Sequence, residues 1–326
     1  VNDKAQTDPK PAGGQEPVIR TSGALLDALV SRAAALPPIR VGVIHPCDPV
    51  SLEGALFAYA RGLIAPTLIG PRAKIEAAAE IAGASLAGLE IVETPHSHAA
   101  AEEAVGLVRR GQLDALMKGS LHTDEVMRAV VRASDGLRTE RRISHVFVID
   151  APAYPKLLLV TDAAINIAPN LDAKRDIVRN AIDLAHAIGI ARPKVAILSA
   201  VETVEGKIPS TIEAAALCKM ADRGQISGGD IDGPLAFDNA ISKAAAAAKG
   251  IISTVAGDAD ILVAPDLEAG NILAKELVFL AGADTAGLVM GARVPIILTS
   301  RADDVASRVA SCALAQLFER RPRVLA

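Results

Sequence analysis

The chain has 326 residues, 51% of them hydrophobic and 22% charged, with a formal net charge of −4. That length fits one large domain or two smaller ones, and the lack of a dominant basic stripe argues against DNA binding. Aromatics make up only 2% and Trp is absent, so the stacking platforms needed for single-stranded nucleic acid are missing.

The core is left to Ala, Val, Ile and Leu, which suits a parallel sheet covered by helices. Cys47, Cys218 and Cys312 match neither a zinc motif nor C-x-x-C. They read as small buried thiols in a reducing, cytoplasmic setting. No apolar run reaches membrane-spanning length.

The polar start, Val1 to Pro17, reads as a flexible arm without the apolar region of a secretion signal. Ser22 to Ala35 then carries Leu25, Leu26, Leu29 and Val30 at helical spacing. From Val41 to Arg132 short apolar strands alternate with amphipathic helices, the signature of a doubly wound parallel sheet. The strands are expected at 41–44, 66–69, 89–92 and 113–117.

The pattern breaks at Ser144–Ile149 and Leu157–Thr161. These two β-rich runs are joined by a connection too short for a helical crossover, so they should pair antiparallel. Helices are expected over 173–188, 210–221, 238–249 and 268–280, with strands at 195–198 and 261–264. The segment S-G-G-D-I-D-G-P-L around Asp230 and Asp232 reads as a turn, since its spacing matches no EF-hand. A last buried strand, Val294 to Leu298, leads through Thr299, Ser300 and Arg301 into a helix from Asp303 to Phe318. Ser300 and Asp303 have the spacing of a capping box.

No P-loop, G-x-G-x-x-G after a strand, G-x-S-x-G elbow or H-E-x-x-H is present. Polar residues instead collect at strand ends. Lys118, Gly119 and Ser120 follow one strand, and Thr161 and Asp162 another, with Asn166 nearby. Ser199 and Glu202 follow a third, and Pro265 to Asn271, including Gly270, a fourth. Thr299, Ser300 and Arg301 follow a fifth. Each alone is a cap or turn; together they describe a cleft lined by strand ends, where open α/β sheets bind ligands. Arg128, Arg132, Arg138, Arg141 and Arg142 add a cationic segment suited to a phosphorylated ligand or to solvent. No residue set suggests a metal.

Several segments together resemble the phosphate acetyltransferase / phosphate butyryltransferase family. They are H-P-C-D at 45–48, G-L-I-A-P-T-L-I-G-P at 62–71, M-K-G at 117–119 and G-L-R-T-E-R-R-I-S-H-V at 136–146. Further on come T-D-A-A-I-N-I-A-P at 161–169, D-G-P-L-A-F-D-N-A at 232–240, P-D-L-E-A-G-N at 265–271 and L-T-S-R at 298–301. The resemblance runs from about residue 40 to residue 318. It is nearest to the transacetylase part found fused to a MaoC-type hydratase, in proteins that join an enoyl-CoA hydratase to a phosphate acetyltransferase. The stretch before the first strand is too short to hold the hydratase part.

The resemblance implies two doubly wound α/β domains similar to isocitrate and isopropylmalate dehydrogenases, with the active site in the interdomain cleft. The first would comprise 1–148 plus 289–326, with 1–20 as the arm. The second would comprise 149–288 and form a homodimer. The implied reaction is acetyl-CoA plus phosphate giving acetyl phosphate plus CoA, by direct thiolate attack. CoA is a substrate here, and no resident cofactor is expected.

In that mechanism Ser300 donates to the thiol or carbonyl, and Arg301 meets the phosphate or the oxyanion. The base of better-known members is an Asp seven residues after this Ser; here that position is Ser307. Asp303, expected on the first helical turn, takes the role in its place. Arg138 is the phosphate candidate, ahead of Arg141 and Arg142. Lys118, Gly119, Ser120, Asp162, Asn166, Gly270 and Asn271 complete the expected substrate site. A butyryltransferase is the near alternative. An NAD-dependent oxidative decarboxylase on the same fold and a non-catalytic CoA-binding protein are alternatives of other classes.

Overall fold

The computed structural model describes residues 20–299 and 303–321. The expected arm up to residue 19 and the pair Ser300–Arg301 lie outside the described residues. Helix α1 (Ala24–Ala34) precedes β1 (Ile39–Ile44), α2 (Pro49–Ala60), β2 (Ile64–Gly70), α3 (Arg72–Ala82), β3 (Glu90–Glu93), α4 (Ser97–Arg109), β4 (Ala115–Lys118) and α5 (Thr123–Val130). Strands β5 (Ser144–Asp150) and β6 (Leu158–Thr161) follow without a helix between them. Then come α6 (Leu171–Ala187), β7 (Lys194–Leu198), α7 (Pro209–Asp222), β8 (Asp230–Leu235), α8 (Phe237–Ile241) and α9 (Lys243–Ala248). The chain closes with β9 (Ile261–Val263), α10 (Leu267–Phe279), β10 (Asp284–Met290), β11 (Ile296–Ile297) and α11 (Val305–Arg320).

Short polar side chains set several helix starts by accepting an otherwise unpaired first-turn N–H. Asp48 accepts from Ser51 N–H at 2.9 Å, ahead of Pro49 at the first helical position. Asn170 and Asp266 do the same for Ala173 and Ala269. The last helix starts later than the sequence pattern indicated. Asp304 is its N-cap and accepts from Ser307 N–H at 2.8 Å. Asp303 therefore precedes the cap instead of lying on the first helical turn, and the Ser300–Asp303 spacing does not mark the helix start.

All eleven strands join one sheet in the order β3-β2-β1-β4-β11-β10-β5-β6-β9-β7-β8. The first five are mutually parallel, as are the last four. Between them the pairings β11–β10, β10–β5 and β5–β6 are antiparallel, as expected for the last of these. Three reversals leave the two parallel sets running in opposite senses. The strand ends after β4 and β11 thus do not share a sheet edge with those after β6, β7 and β9. Even so, the segments after β4, β6, β9 and β11 all reach one central cavity; of the five strand ends expected to line one cleft, only the segment after β7, with Ser199 and Glu202, does not line it.

Alternate side chains show how the two faces differ. One face carries Val41, Val43, Met117, Ile297, Leu288, Val146, Val148, Leu159 and Val195 into a single core, under helices α1, α2, α6, α7 and α11. On the other face the core is split. Ile44, Leu116, Ile296 and Val289 pack with α4 and α5. Ile149, Val160, Ala196 and Leu262 pack with Tyr154, Leu235 and Ala274. The gap between these two clusters lies over the antiparallel strands.

Three local expectations fail for physical reasons. Asp230–Leu235 is a strand despite Gly233-Pro234, because β8 is an edge strand where a missing N–H costs little. The Ala-rich stretch is two short helices, because Ser242 takes an extended conformation and caps the second. Strand β10 was not expected, since Gly287 weakens its β signal; seven cross-strand partners on β5 supply the order instead.

The α2–α11 crossing depends on Gly54, where an added Cβ would lie 2.5 Å from Cδ and 3.1 Å from Cβ of Arg308. Gly54→Ala is expected to cost about 1–3 kcal/mol by overpacking, read as a lower urea midpoint with an unchanged m-value.

Candidate active site

The gap in the split face is a cavity of about 530 Å³. Its floor is Phe147 and His145 of β5 with Thr285 of β10. On one side stand Lys118 at the end of β4, His122 and Thr123 at the start of α5, and Leu298, Thr299, Asp303, Asp304 and Ser307 around the end of β11. On the other stand Ala164 in the loop after β6 and Asn271, Ala274, Lys275 and Val278 of α10. Of the residues singled out from sequence, Lys118, Asn271, Thr299 and Asp303 line this cavity. Ser300 and Arg301 lie outside the described residues; of the residues flanking them, Leu298, Thr299 and Asp303 line the cavity.

Lys118 is 5% exposed, and its Nζ donates to the carbonyls of Gly119 and Leu121, each at 3.3 Å. Gly119 and Ser120 tie the end of β4 to β1 through N–H bonds to the carbonyls of Ile44 and His45, both at 2.9 Å. A Cβ on Gly119 would lie 2.5 Å from the Ile44 oxygen, so only glycine permits this approach. Asp303 stands just before the cap, whereas Oδ1 of Asp304 is held by the Ser307 amide. Thr299 Oγ1 accepts from the buried guanidinium of Arg308 at 2.7 Å, which anchors the loop from the opposite layer.

Asp162 is buried and does not line the cavity. Its Oδ1 accepts from the N–H groups of Ala164 and Ile165 at 3.0 and 3.1 Å. Its Oδ2 accepts from the N–H of Asn166 at 3.0 Å and from its Nδ2 at 2.5 Å. It shapes the loop that reaches the cavity at Ala164. Gly270 serves the same loop, since a Cβ there would lie 2.5 Å from the Asp162 carbonyl oxygen. Asn271 Nδ2 donates to Ala163 O at 3.0 Å.

Arg138 and Asn166 line a second cavity of about 540 Å³ with Arg141 and Arg142, adjoining the first across residues 164–166. The basic segment does not act as one patch. Arg142 donates to Asn166 Oδ1 at 2.7 Å, Arg141 pairs with Asp183, and Arg132 pairs with Glu102 and Asp135 on the surface. Ser199 and Pro265 line a third, smaller cavity. Among the described residues, no group of three or more His, Cys, Asp or Glu is placed to hold a metal ion, and no helix is long and apolar enough to cross a membrane.

Sequence reasoning passed over His145 and Arg308. His145 is 1% exposed, and burial pushes its pKa down to about 4, against the opposing pull of Asp162. An alternation of Ser144 and His145 with apolar residues gave no signal, because both faces of β5 are covered. Arg308 looked like an ordinary helix residue; only the α2–α11 contact buries it.

The arrangement is that of a mixed-sheet α/β fold with a central cleft. The family model described as Phosphate acetyl/butaryl transferase matches residues 97–316. The phosphate acetyltransferase of Rhizobium meliloti is 63% identical over 297 residues, covering 91% of this chain and 94% of that protein. The phosphate butyryltransferase of Clostridium acetobutylicum is 42% identical over 278 residues, covering 85% and 92%. The crystal structure of a branched-chain phosphotransacylase from Enterococcus faecalis V583 superposes with a TM-score of 0.75 at 31% identity. It covers 87% of this chain and 100% of that one. The chain belongs to the phosphate acetyl/butyryl transferase family and is an acyltransferase.

The His145 shift gives a pH prediction. Its folded pKa of about 4 lies below the unfolded value of 6.5, so between those values the unfolded chain binds more protons. The stability due to a neutral His145 is fully present above pH 6.5 and is lost as pH falls toward 4. Thermal unfolding from pH 7 to about 4.5 should show a smaller drop in Tm for His145→Gln than for the parent protein.

Proposed function

We propose that the central cleft catalyses reversible acetyl transfer between CoA and inorganic phosphate. The observation that carries this reading is the meeting of the β4 and β11 ends, with Lys118, Thr299 and Asp303, at one cavity in a chain 63% identical to a phosphate acetyltransferase. In the direction of thioester synthesis the CoA thiol gives its proton to the Asp303 carboxylate. The thiolate, the competent nucleophile, forms the C–S bond to the acetyl carbon, and the C–O bond to phosphate breaks. Ser300 donates to the thiol or carbonyl, and Arg301 offsets charge on the oxyanion and departing phosphate. Lys118 and Asn271 contact substrate in the cleft, and Arg138, with Asn166 beside it, holds a phosphate group from the adjoining cavity. Gly119, Ser120, Asp162 and Gly270 hold the loops that shape the site.

A butyryl substrate is the second reading. It is favoured by the apolar wall of Phe147, Ala274 and Val278 and by the butyryltransferase relative. The proposal also includes a cytoplasmic homodimer formed through residues 149–288, with 1–148 and 289–326 as the other domain. The split core on the cleft face supports that division. Ile272, Phe279 and Leu280, exposed at 58, 75 and 84%, supply apolar surface for the dimer. The link to hydratase-fused transacetylases rests on the sequence segments alone.

The deciding experiment follows thioester absorbance with CoA and either acetyl or butyryl phosphate. Acetyl phosphate should be the faster substrate, and turnover with neither would sink both readings. Arg301→Ala is expected to lower kcat by about 10²–10³, the usual loss for an oxyanion donor. Cys312→Ala should stay near parent activity, because this thiol is buried in the core with its pKa pushed up to about 12. Asp303→Asn should remove the acidic limb of the kcat profile; a parent-like profile would exclude Asp303 as the base. Sedimentation equilibrium tests the dimer.

A further inference from the structure

We propose that His45 is a positioning residue that holds the turn after β4 and so sets the Lys118 ammonium in the cleft. This rests on the reading of Lys118 as a substrate contact there. His45 opens the H-P-C-D segment at the end of β1. Among the described residues it is the one residue other than glycine with a positive φ, 53°. An L residue enters this left-handed region at a cost, and such strain persists only where the surroundings hold it. Here the holding bonds are explicit. The His45 N–H donates to Ile69 O of β2 at 2.7 Å, and its carbonyl accepts from the N–H groups of Cys47 and Ser120, both at 2.9 Å.

The ring makes a further bond to the same turn. Its Nδ1 lies 3.2 Å from the Ser120 carbonyl oxygen. A carbonyl oxygen only accepts, so Nδ1 carries the proton. His45 therefore takes both backbone polar groups of Ser120, one through its own carbonyl and one through its side chain.

The carbonyls on either side of Ser120 go to Lys118. Gly119 O and Leu121 O each accept from Lys118 Nζ at 3.3 Å. The Gly119 N–H is held by Ile44 O at 2.9 Å, and a Cβ on Gly119 would lie 2.8 Å from His45 O. Lys118 is 5% exposed and lines the cleft with Leu121, His122 and Thr123. An ammonium has three N–H groups, and this turn takes two of them, so the ammonium goes where the turn goes. Without the ring bond the Ser120–Leu121 peptide is free to rotate, and the two carbonyls that hold Lys118 flank it. Misplacement of a group by about 1 Å is enough to cost two orders of magnitude in rate.

The test measures kcat/KM for acetyl phosphate, or for butyryl phosphate if that is the faster substrate, well below the Tm of each variant. His45→Gly accepts the positive φ but has no ring, and kcat/KM should fall about 10–100-fold. His45→Asn also tolerates this backbone conformation. Its Nδ2 stands where Nδ1 stood, so it should come within about threefold of the parent. His45→Gln carries its N–H one bond further out and should resemble His45→Gly. Lys118→Met should lower kcat/KM at least as much as His45→Gly. Adding His45→Gly to Lys118→Met should then cost less than about twofold more, because the histidine acts through the lysine. Nitrogen-15 NMR should show an Nδ1–H histidine ring that disappears in His45→Asn.

Parent-like kcat/KM in His45→Gly, equal values for Asn and Gln, or losses that multiply in the double variant would each overturn the proposal. So would parent-like activity in Lys118→Met, or an Nε2–H ring at position 45. A parent protein that turns over neither acyl phosphate would instead overturn the function reading.

Discussion

The antiparallel ladder between β5 and β10 is the constraint on which the rest of this molecule depends. It pairs Ser144 through Asp150 with Met290 through Asp284, residue by residue. On either side the strands are parallel and follow βαβ rules, with helices on both faces. The ladder reverses the sense of the sheet between the two sets. The helices over one face therefore close into one core, while those over the other face leave a trench along the reversal. Phe147, His145 and Thr285 form the floor of that trench because the ladder residues beneath it have no helix above them.

Around the trench, several buried polar groups satisfy one another, while Nδ1 of His145 has no partner among the described residues. Asp162 accepts from backbone and Asn166 N–H groups on both oxygens, and Arg308 meets Thr299. Lys118 reaches two carbonyls. An unmet buried donor or acceptor costs about 1–3 kcal/mol, so each loop that enters the trench is fixed by more than its own backbone. The glycines at 119, 270 and 287 work to the same end: each marks a close approach that a Cβ would block. Such fixed loops suit the direct transfer between two substrates proposed for this site.

The alternation of strands and helices up to Arg132 was legible because each helix carries one apolar stripe and each strand is a short apolar run. The antiparallel β5–β6 pair was legible from the length of its connection. The helix start at Asp304 was not. Asp303 and Asp304 are both good caps, and the choice depends on where β11 releases the chain. Strand β10 was hidden by Gly287, which looks like a turn residue in sequence and is a space for His145 in the fold. The relation among the strand-end residues was also hidden. Lys118 and Asp162 both follow strands, but one borders the trench and the other lies beneath its neighbouring loop, since the Asp162 carboxylate is taken up by the N–H groups of its own loop.

By itself the sequence determined the α/β class, the family through its motifs, and the segments around 118, 162, 270 and 300 that carry polar residues. These are local properties, set by apolar periodicity and by residue types at strand ends. Only the tertiary structure decided which of those residues share a cavity, which carboxylate caps α11, and why a histidine and an arginine are buried against the loop after β11. Those outcomes depend on strand order and direction, fixed by pairing between segments more than a hundred residues apart, such as β5 with β10.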